Sequence, residues 1–202
     1  MTILLAIDTA GPRLQLALLF GDAVDTLVEE MPTGQAERLF PAIDDLLARN
    51  RVAYADLTRI AVTTGPGSFT GVRIGLSAAR GLGLALGIPV VGVPTLAAVS
   101  LAAERDAVAV IVDARRGEAY VQLFSVPGVP IGPPHLAIMD EARQRVPVGT
   151  EVITEAAPDI ARLARFAASA DPSRFPPDAA YVRDADAKPQ DKFRVARTGA
   201  PA

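Results

Sequence analysis

With 202 residues, half of them hydrophobic and 21% charged, the chain holds enough apolar material for a sizeable core in one domain or two closely joined lobes, and disorder is excluded for most of its length. A formal net charge of −3 supplies no global basic field, so strong direct binding to a phosphate backbone is not expected unless a partner provides that field. The absence of cysteine removes disulfides, thiolate zinc sites and cysteine nucleophiles.

The chain opens without a basic leader, and Asp8 ends its first apolar run after residues 3–7. Neither a signal peptide nor a membrane span is expected, and the expected compartment is the cytoplasm. Residues 3–7, 14–20 and 23–30 read as the strands of a β-meander, with Gly11-Pro12 and Gly21-Asp22 as turns. Over 36–50, Leu39, Phe40, Ile43, Leu46 and Leu47 recur at helical spacing, which predicts a helix with Pro41 in or near its first turn. A strand at 59–64, the segment GPGSFTG at 65–71, a helix rich in small residues to about Leu86 and a strand at 89–93 form a β-loop-α-β crossover, which implies parallel strands. A short helix over 96–103 and strands at 107–112 and 119–125 follow. Residues 126–134, rich in proline and glycine, read as a boundary; beyond it come a weak strand near 151–154 and a helix near 158–168. Residues 184–202 are polar and alanine-rich without periodicity, and a mobile tail is expected there.

GPGSFTG is the strongest chemical signal, because glycines at 65, 67 and 71 permit close backbone approach where a strand becomes a helix. A Walker loop requires lysine followed by serine or threonine, and here Val72 and Arg73 follow Gly71. A nucleophile elbow requires glycine two residues either side of the serine, and Ser68 has Pro66 and Thr70 there. The only histidine, His135, falls in the boundary segment and reads as an exposed loop residue. On local chemistry alone, a tight turn with a helix N-cap by Ser68 or Thr70 accounts for the loop equally well.

GPGSFTGVRIG at 65–75 resembles the signature of the TsaB (YeaZ) family; its core residues here are Gly65, Pro66, Gly67, Ser68, Phe69, Thr70, Gly71 and Arg73. Ala6-Ile7-Asp8-Thr9, Val112-Asp113-Ala114-Arg115 with Gly117-Glu118 and Tyr120, and the closing Tyr181-Val182-Arg183 resemble further family segments in the same order. Two features depart from the pattern: Gln35 stands where members often carry histidine, and the second lobe is shorter. The resemblance implies an α/β fold of the actin/Hsp70/sugar-kinase (ASKHA) type with a reduced second lobe, divided into an N-terminal lobe over 1–94 and a smaller C-terminal lobe over 95–183.

It also implies an accessory, non-catalytic subunit that binds a TsaD-type catalytic protein for threonylcarbamoyl transfer to the tRNA adenosine next to the anticodon. A TsaE-type ATPase is implied as third component, tRNA is met indirectly through the complex, and a homodimer stays open. No cofactor is firmly implied. ATP or ADP with magnesium at a subunit junction is left open, since Asp8, Thr9 and Asp113 sit where kinases of this architecture contact phosphate and metal. The sequence has no Gly-Gly pair of the kind that admits adenine in such proteins, which weighs against the alternative of an ATP-dependent small-molecule kinase. A peptidase reading lacks metal ligands and a nucleophile–base pair. For the partner face, the resemblance selects the helices over 36–50 and 72–86, with Leu39, Ile43 and Leu46 giving apolar area and Gly71, Gly75, Ala78, Ala79 and Leu82 a flat stripe. The same stripe also suits close packing on the chain's own sheet.

Overall fold

The computed structural model describes residues 2–182; the tail expected over 184–202, and Arg183 of the closing Tyr-x-Arg, lie outside the described residues. The meander is present as β1 (Ile3–Asp8), β2 (Arg13–Phe20) and β3 (Ala23–Glu30). The crossover adds β4 (Arg59–Thr63), α2 (Phe69–Leu86) and β5 (Val90–Val93) after α1 (Gln35–Arg49). These strands make a five-stranded sheet in the order β3-β2-β1-β4-β5, antiparallel through the meander and parallel from β1 to β5.

Alternation along β1 builds two cores at once, because successive side chains leave opposite faces of a strand. Leu5 and Ile7 join Leu14, Leu16 and Leu18 under α1 and α2. Leu4 and Ala6 face the other way and meet a second layer. That layer includes α3 (Thr95–Ser100), β6 (Val108–Arg115), β7 (Glu118–Val126) and α5 (Ile160–Ser169). In α5, Ile160, Leu163, Ala164 and Ala167 are buried at i, i+3, i+4 and i+7, the stripe of an amphipathic helix. Arg59 fastens the end of α5 to β4, its Nη1 donating to the carbonyls of Ala167 and Ala170 at 2.8 and 2.6 Å.

The second sheet runs β10-β6-β7, with β8 (Val129–Pro130) and β9 (His135–Ile138) both pairing with β7 and β10 (Glu151–Ile153) parallel to β6. Its outer face is covered by α4 (Met139–Gln144) through Ala142 and Met139. Thus 126–134 is not simply a connection: it carries β8, and His135 heads a strand while remaining exposed. Strands of two and four residues in a proline-rich context leave almost no periodic signal.

Pro41 also differs from expectation. The helix begins at Gln35, so Pro41 lies inside it, in the second turn. The cost is limited because Glu37, whose carbonyl loses its amide partner, and Pro41 are both exposed, leaving that carbonyl to water. A polar clamp seats the same helix on β3: Arg38 donates from Nη2 to Glu29 Oε1 at 2.7 Å and from Nη1 to Asp45 Oδ2 at 3.0 Å. The Arg38 hydrogen bonds hold the Glu29 carboxyl below its usual range against the opposing push of burial, and the Arg38 charge adds to their effect.

Candidate functional site

The end of β1 and the GPGSFTG loop meet in a fixed arrangement. Gly65 exchanges two bonds with Thr95 at the start of α3, N–H to Oγ1 at 3.0 Å and carbonyl from N–H at 2.8 Å. Ser68 N–H donates to the Ala10 carbonyl at 2.7 Å, and Ser68 Oγ caps α2 by accepting from Gly71 N–H at 3.3 Å. Gln35, at the start of α1, closes the other side by donating to the carbonyls of Gly11 and Arg13 at 3.0 and 2.9 Å.

Beside this loop lies a cleft of about 510 Å³ between the two sheets, bordered by Asp8, Ser68, Thr95, Asp113, Arg115 and Tyr120 among others. Asp8 and Asp113, far apart in sequence, therefore share one cavity. Thr9 does not join them: it is buried and its hydroxyl donates to the Gly71 carbonyl at 2.7 Å, tying β1 to the first turn of α2. Asp8 is buried and its carboxylate is already occupied, accepting from Ala10 N–H at 3.1 Å, Thr63 Oγ1 at 2.6 Å and Gln15 Nε2 at 2.9 Å. Asp113 is exposed and its Oδ1 accepts from Arg115 N–H at 2.8 Å. Magnesium takes near-octahedral oxygen ligation and commonly uses one or two free carboxylates with water and phosphate. The donor set of this chain alone is a poor fit to a magnesium nucleotide, because Asp8 is buried, with Oδ1 accepting from Ala10 and Thr63 and Oδ2 from Gln15, bonds that tie β1 to β4 and β2.

The second feature is an apolar groove of about 650 Å³ between α1 and α2. Its walls include Phe40 on α1 and Phe69, Ile74, Ala78 and Leu82 on α2. Phe40 is 45% exposed and Phe69 56% exposed, although each carries a large apolar ring.

The groove coincides only in part with the partner face expected from the sequence. Ile43 and Leu46 are fully buried beneath α1, and Leu39 is buried while touching the groove floor. Gly71, Gly75 and Ala79 face the chain's own sheet: a Cβ at Gly71 would overlap the Thr9 carbonyl oxygen, and one at Gly75 would lie 2.6 Å from Thr9 Oγ1. Of the eight residues expected on the face, Ala78, Leu82 and the edge of Leu39 line it. The physical reason is a phase error of one position. Residues 71, 75 and 79 form the inward stripe, whereas 70, 74 and 78 lie about 100° round the helix and border the groove, with Ala78 itself buried. Phe40 and Ile74 were the available signals, being large apolar residues beyond those each helix needs for its inward stripe.

One more contact was not legible. Residues 175–180 run along the edge of the first sheet, Gly92 N–H donating to the Phe175 carbonyl and Ala180 N–H to the Thr64 carbonyl, both at 2.8 Å. This strap delivers Tyr181 to the outer side of α2, where its ring lies 5.9 Å from that of Phe69.

Comparison with known proteins agrees with this geometry. The family model described as TsaD, tRNA N6-adenosine threonylcarbamoyltransferase, matches residues 33–130. The chain is 38% identical to the tRNA threonylcarbamoyladenosine biosynthesis protein TsaB of Escherichia coli K12, over 58% of this chain and 52% of that protein. It is 39% identical to the TsaB protein of Bacillus subtilis, over 61% and 55% of the two chains. An uncharacterized protein of Mycobacterium leprae is 33% identical over 94% of this chain and 57% of its own length. The chain thus spans just over half the length of the curated relatives it matches. Among solved structures, YeaZ from Pseudomonas aeruginosa superposes with a TM-score of 0.74 at 28% identity, covering 90% of this chain and all of that one. The α/β class expected from the sequence stands, built on two sheets. With the GPGSFTGVRIG signature seated at the β4–α2 junction, relatives carrying the TsaB name and a matching YeaZ fold, the resemblance of this chain to the TsaB (YeaZ) family is borne out.

Proposed function

We propose that this chain is a non-catalytic subunit in the synthesis of threonylcarbamoyladenosine on tRNA, and that it works by docking a TsaD-type catalytic protein on the α1/α2 groove. The observation that carries the reading is the groove itself: two large aromatic side chains stand half-exposed beside Ile74, Ala78 and Leu82 on rigid helices. An apolar surface of this kind is what a partner helix covers in helix-in-groove recognition. The bonds that Asp8 accepts on both of its oxygens support the non-catalytic half of the reading, since they commit this buried carboxylate of the cleft to holding the fold.

In this reading the N-terminal lobe, 1–94, carries the partner face. The C-terminal lobe, 95–183, backs the first sheet, with α5 packed on it. Any magnesium nucleotide used in the reaction is held largely by donors of the partner at the junction, a TsaE-type ATPase is the third component, and tRNA is reached through the complex. Co-expression with the TsaD-type protein of the same organism, followed by size-exclusion chromatography, tests the proposal. Co-elution is the expected result; separate elution at every loading concentration overturns it. The isolated chain is expected neither to hydrolyse ATP at an enzymatic rate nor to bind tRNA tightly at physiological salt, and turnover that survives purification and tracks Asp8 would favour the kinase reading instead.

A further inference from the structure

Arg73 sits in the second turn of α2 at the mouth of the groove, and the described residues around it orient its charge without neutralising it. Its guanidinium carbon lies 3.5 Å from the centroid of the Phe69 ring. Its Nε–H donates to the Tyr181 hydroxyl oxygen at 3.3 Å, and the Tyr181 ring leans on Phe69 at an interplanar angle of 34°. All three residues are exposed. Among the described residues no carboxylate lies within ion-pair reach of Arg73, whereas Arg80, seven residues further along α2, has Asp178 at 3.7 Å. The ring face and the tyrosine hydroxyl occupy one face and one nitrogen of the fork, leaving its Nη edge unpaired among the described residues.

A guanidinium stacked on a ring is pre-organised, loses little freedom on pairing, and matches a carboxylate with two parallel hydrogen bonds. Here it borders a groove whose walls are apolar, so covering the groove would lower the local dielectric and strengthen such a pair. We infer that Phe69, Arg73 and Tyr181 form a carboxylate anchor that receives an Asp or Glu side chain from the helix filling the α1/α2 groove. The inference rests on the groove being a partner face, and it specifies that partner's chemistry. The docking helix carries an apolar stripe at i, i+3 or i+4 and i+7, and an acidic residue where the stripe reaches the N-terminal end of α2. Apolar contact supplies most of the affinity, and the anchor fixes register and direction. Tyr181 acts as a positioning residue, since its hydroxyl holds the guanidinium over the ring.

The test measures the dissociation constant of the full chain for the TsaD-type protein of the same organism by calorimetry, at about 50 mM and about 500 mM NaCl. Wild type should weaken as salt rises. Arg73→Gln should bind at least ~10-fold more weakly at low salt and lose most of that salt dependence. Arg73→Lys, which keeps the charge but not the fork, should fall between them, and Tyr181→Phe should bind roughly threefold more weakly while keeping the salt dependence. Phe40→Glu, on the opposite wall, should abolish binding in both salts. Should Phe40→Glu abolish binding while Arg73→Gln and Arg73→Lys match wild type in affinity and salt response, the anchor is wrong and the groove stands. Should wild type fail to bind, or Phe40→Glu bind unchanged, the partner face itself is wrong and the anchor falls with it.

Discussion

The cleft between the sheets and the groove between α1 and α2 lie on either side of the GPGSFTG loop, and they treat their side chains in opposite ways. In the cleft, Asp8 accepts three hydrogen bonds from its own chain, and Asp113 pairs with the backbone of its own turn. In the groove, Phe40 and Phe69 keep about half their surface in water although burying the remainder would stabilise each by roughly 1 kcal/mol. A satisfied polar cleft has no outstanding demand that a ligand must meet. An uncovered apolar groove has one, and so function is sought there and not where the superfamily's chemistry would place it.

The sharpest way to break the comparison is to attack the inward face of α2. Gly71→Val would force a branched side chain onto the Thr9 carbonyl, an overpacking that cannot relax without parting α2 from β1. We expect a loss of about 3 kcal/mol or more, read as a drop of roughly 10 °C in the thermal midpoint. Unchanged stability with lost partner binding would instead place Gly71 on the partner face.

Next in size, Phe40→Glu should weaken partner binding at least ~100-fold, since an aromatic anchor is lost and a charge is placed where the partner must dehydrate it. Its thermal midpoint should stay within a few degrees of wild type, because the side chain is already 45% exposed. A large fall in stability would make the groove part of the core and erase the contrast.

Asp8→Asn examines the other side. Asparagine presents an NH₂ where the carboxylate now accepts from Gln15, Thr63 and Ala10, leaving at least one buried donor facing a donor. The expected cost is about 1–3 kcal/mol, seen as a lower urea midpoint with an unchanged slope. If stability is untouched, the three bonds are incidental and the carboxylate is free for chemistry after all.

How far the sequence reached follows the same division. Long alternating strands and the strand-loop-helix junction carry their own signals, so β1–β5 were legible within a residue or two, while α2 begins at Phe69, three residues earlier than expected and inside the signature segment. The groove lies between the pair of helices expected to carry the partner face, but of the α2 residues expected there only Ala78 and Leu82 line it, because small residues that permit close helix–sheet contact also suit helix–helix contact, and spacing alone does not tell the two apart. Tyr181 was noted only as part of the closing motif, and its contact with Phe69 stayed hidden since it spans more than a hundred residues and depends on the backbone pairing of the strap at Gly92 and Thr64. The short β8, β9 and α4 are held by pairing with β7 and by packing under the second sheet, and no local periodicity announces them.

The smallest expected effect asks whether the groove's α1 wall is held by polar bonds of the kind found in the cleft. Arg38 reaches from α1 to Glu29 on β3, and its hydrogen bonds, followed in the opposing sense by burial and again in support by its charge, leave the Glu29 carboxyl below its usual range. Because the folded value lies below the unfolded one of about 4.3, the stabilisation from this pair is complete above that pH and is lost as pH falls through the folded value. Glu29→Gln should therefore melt slightly below wild type at pH 7, by about 1–2 °C for a partly exposed pair. The gap should persist to pH 5 and close between pH 4 and the acid transition. Parallel melting curves for the two proteins at pH 7 and pH 3 measure it. A gap that widens toward acid would mean that Glu29 is favoured protonated in the folded state, contrary to the hydrogen bonds it accepts from Arg38. If the gap closes as expected and partner binding by Glu29→Gln at pH 7 equals that of wild type, α1 is seated by its apolar underside, Leu39, Ile43 and Leu46. The clamp would then be an accessory to a groove wall already set by the core.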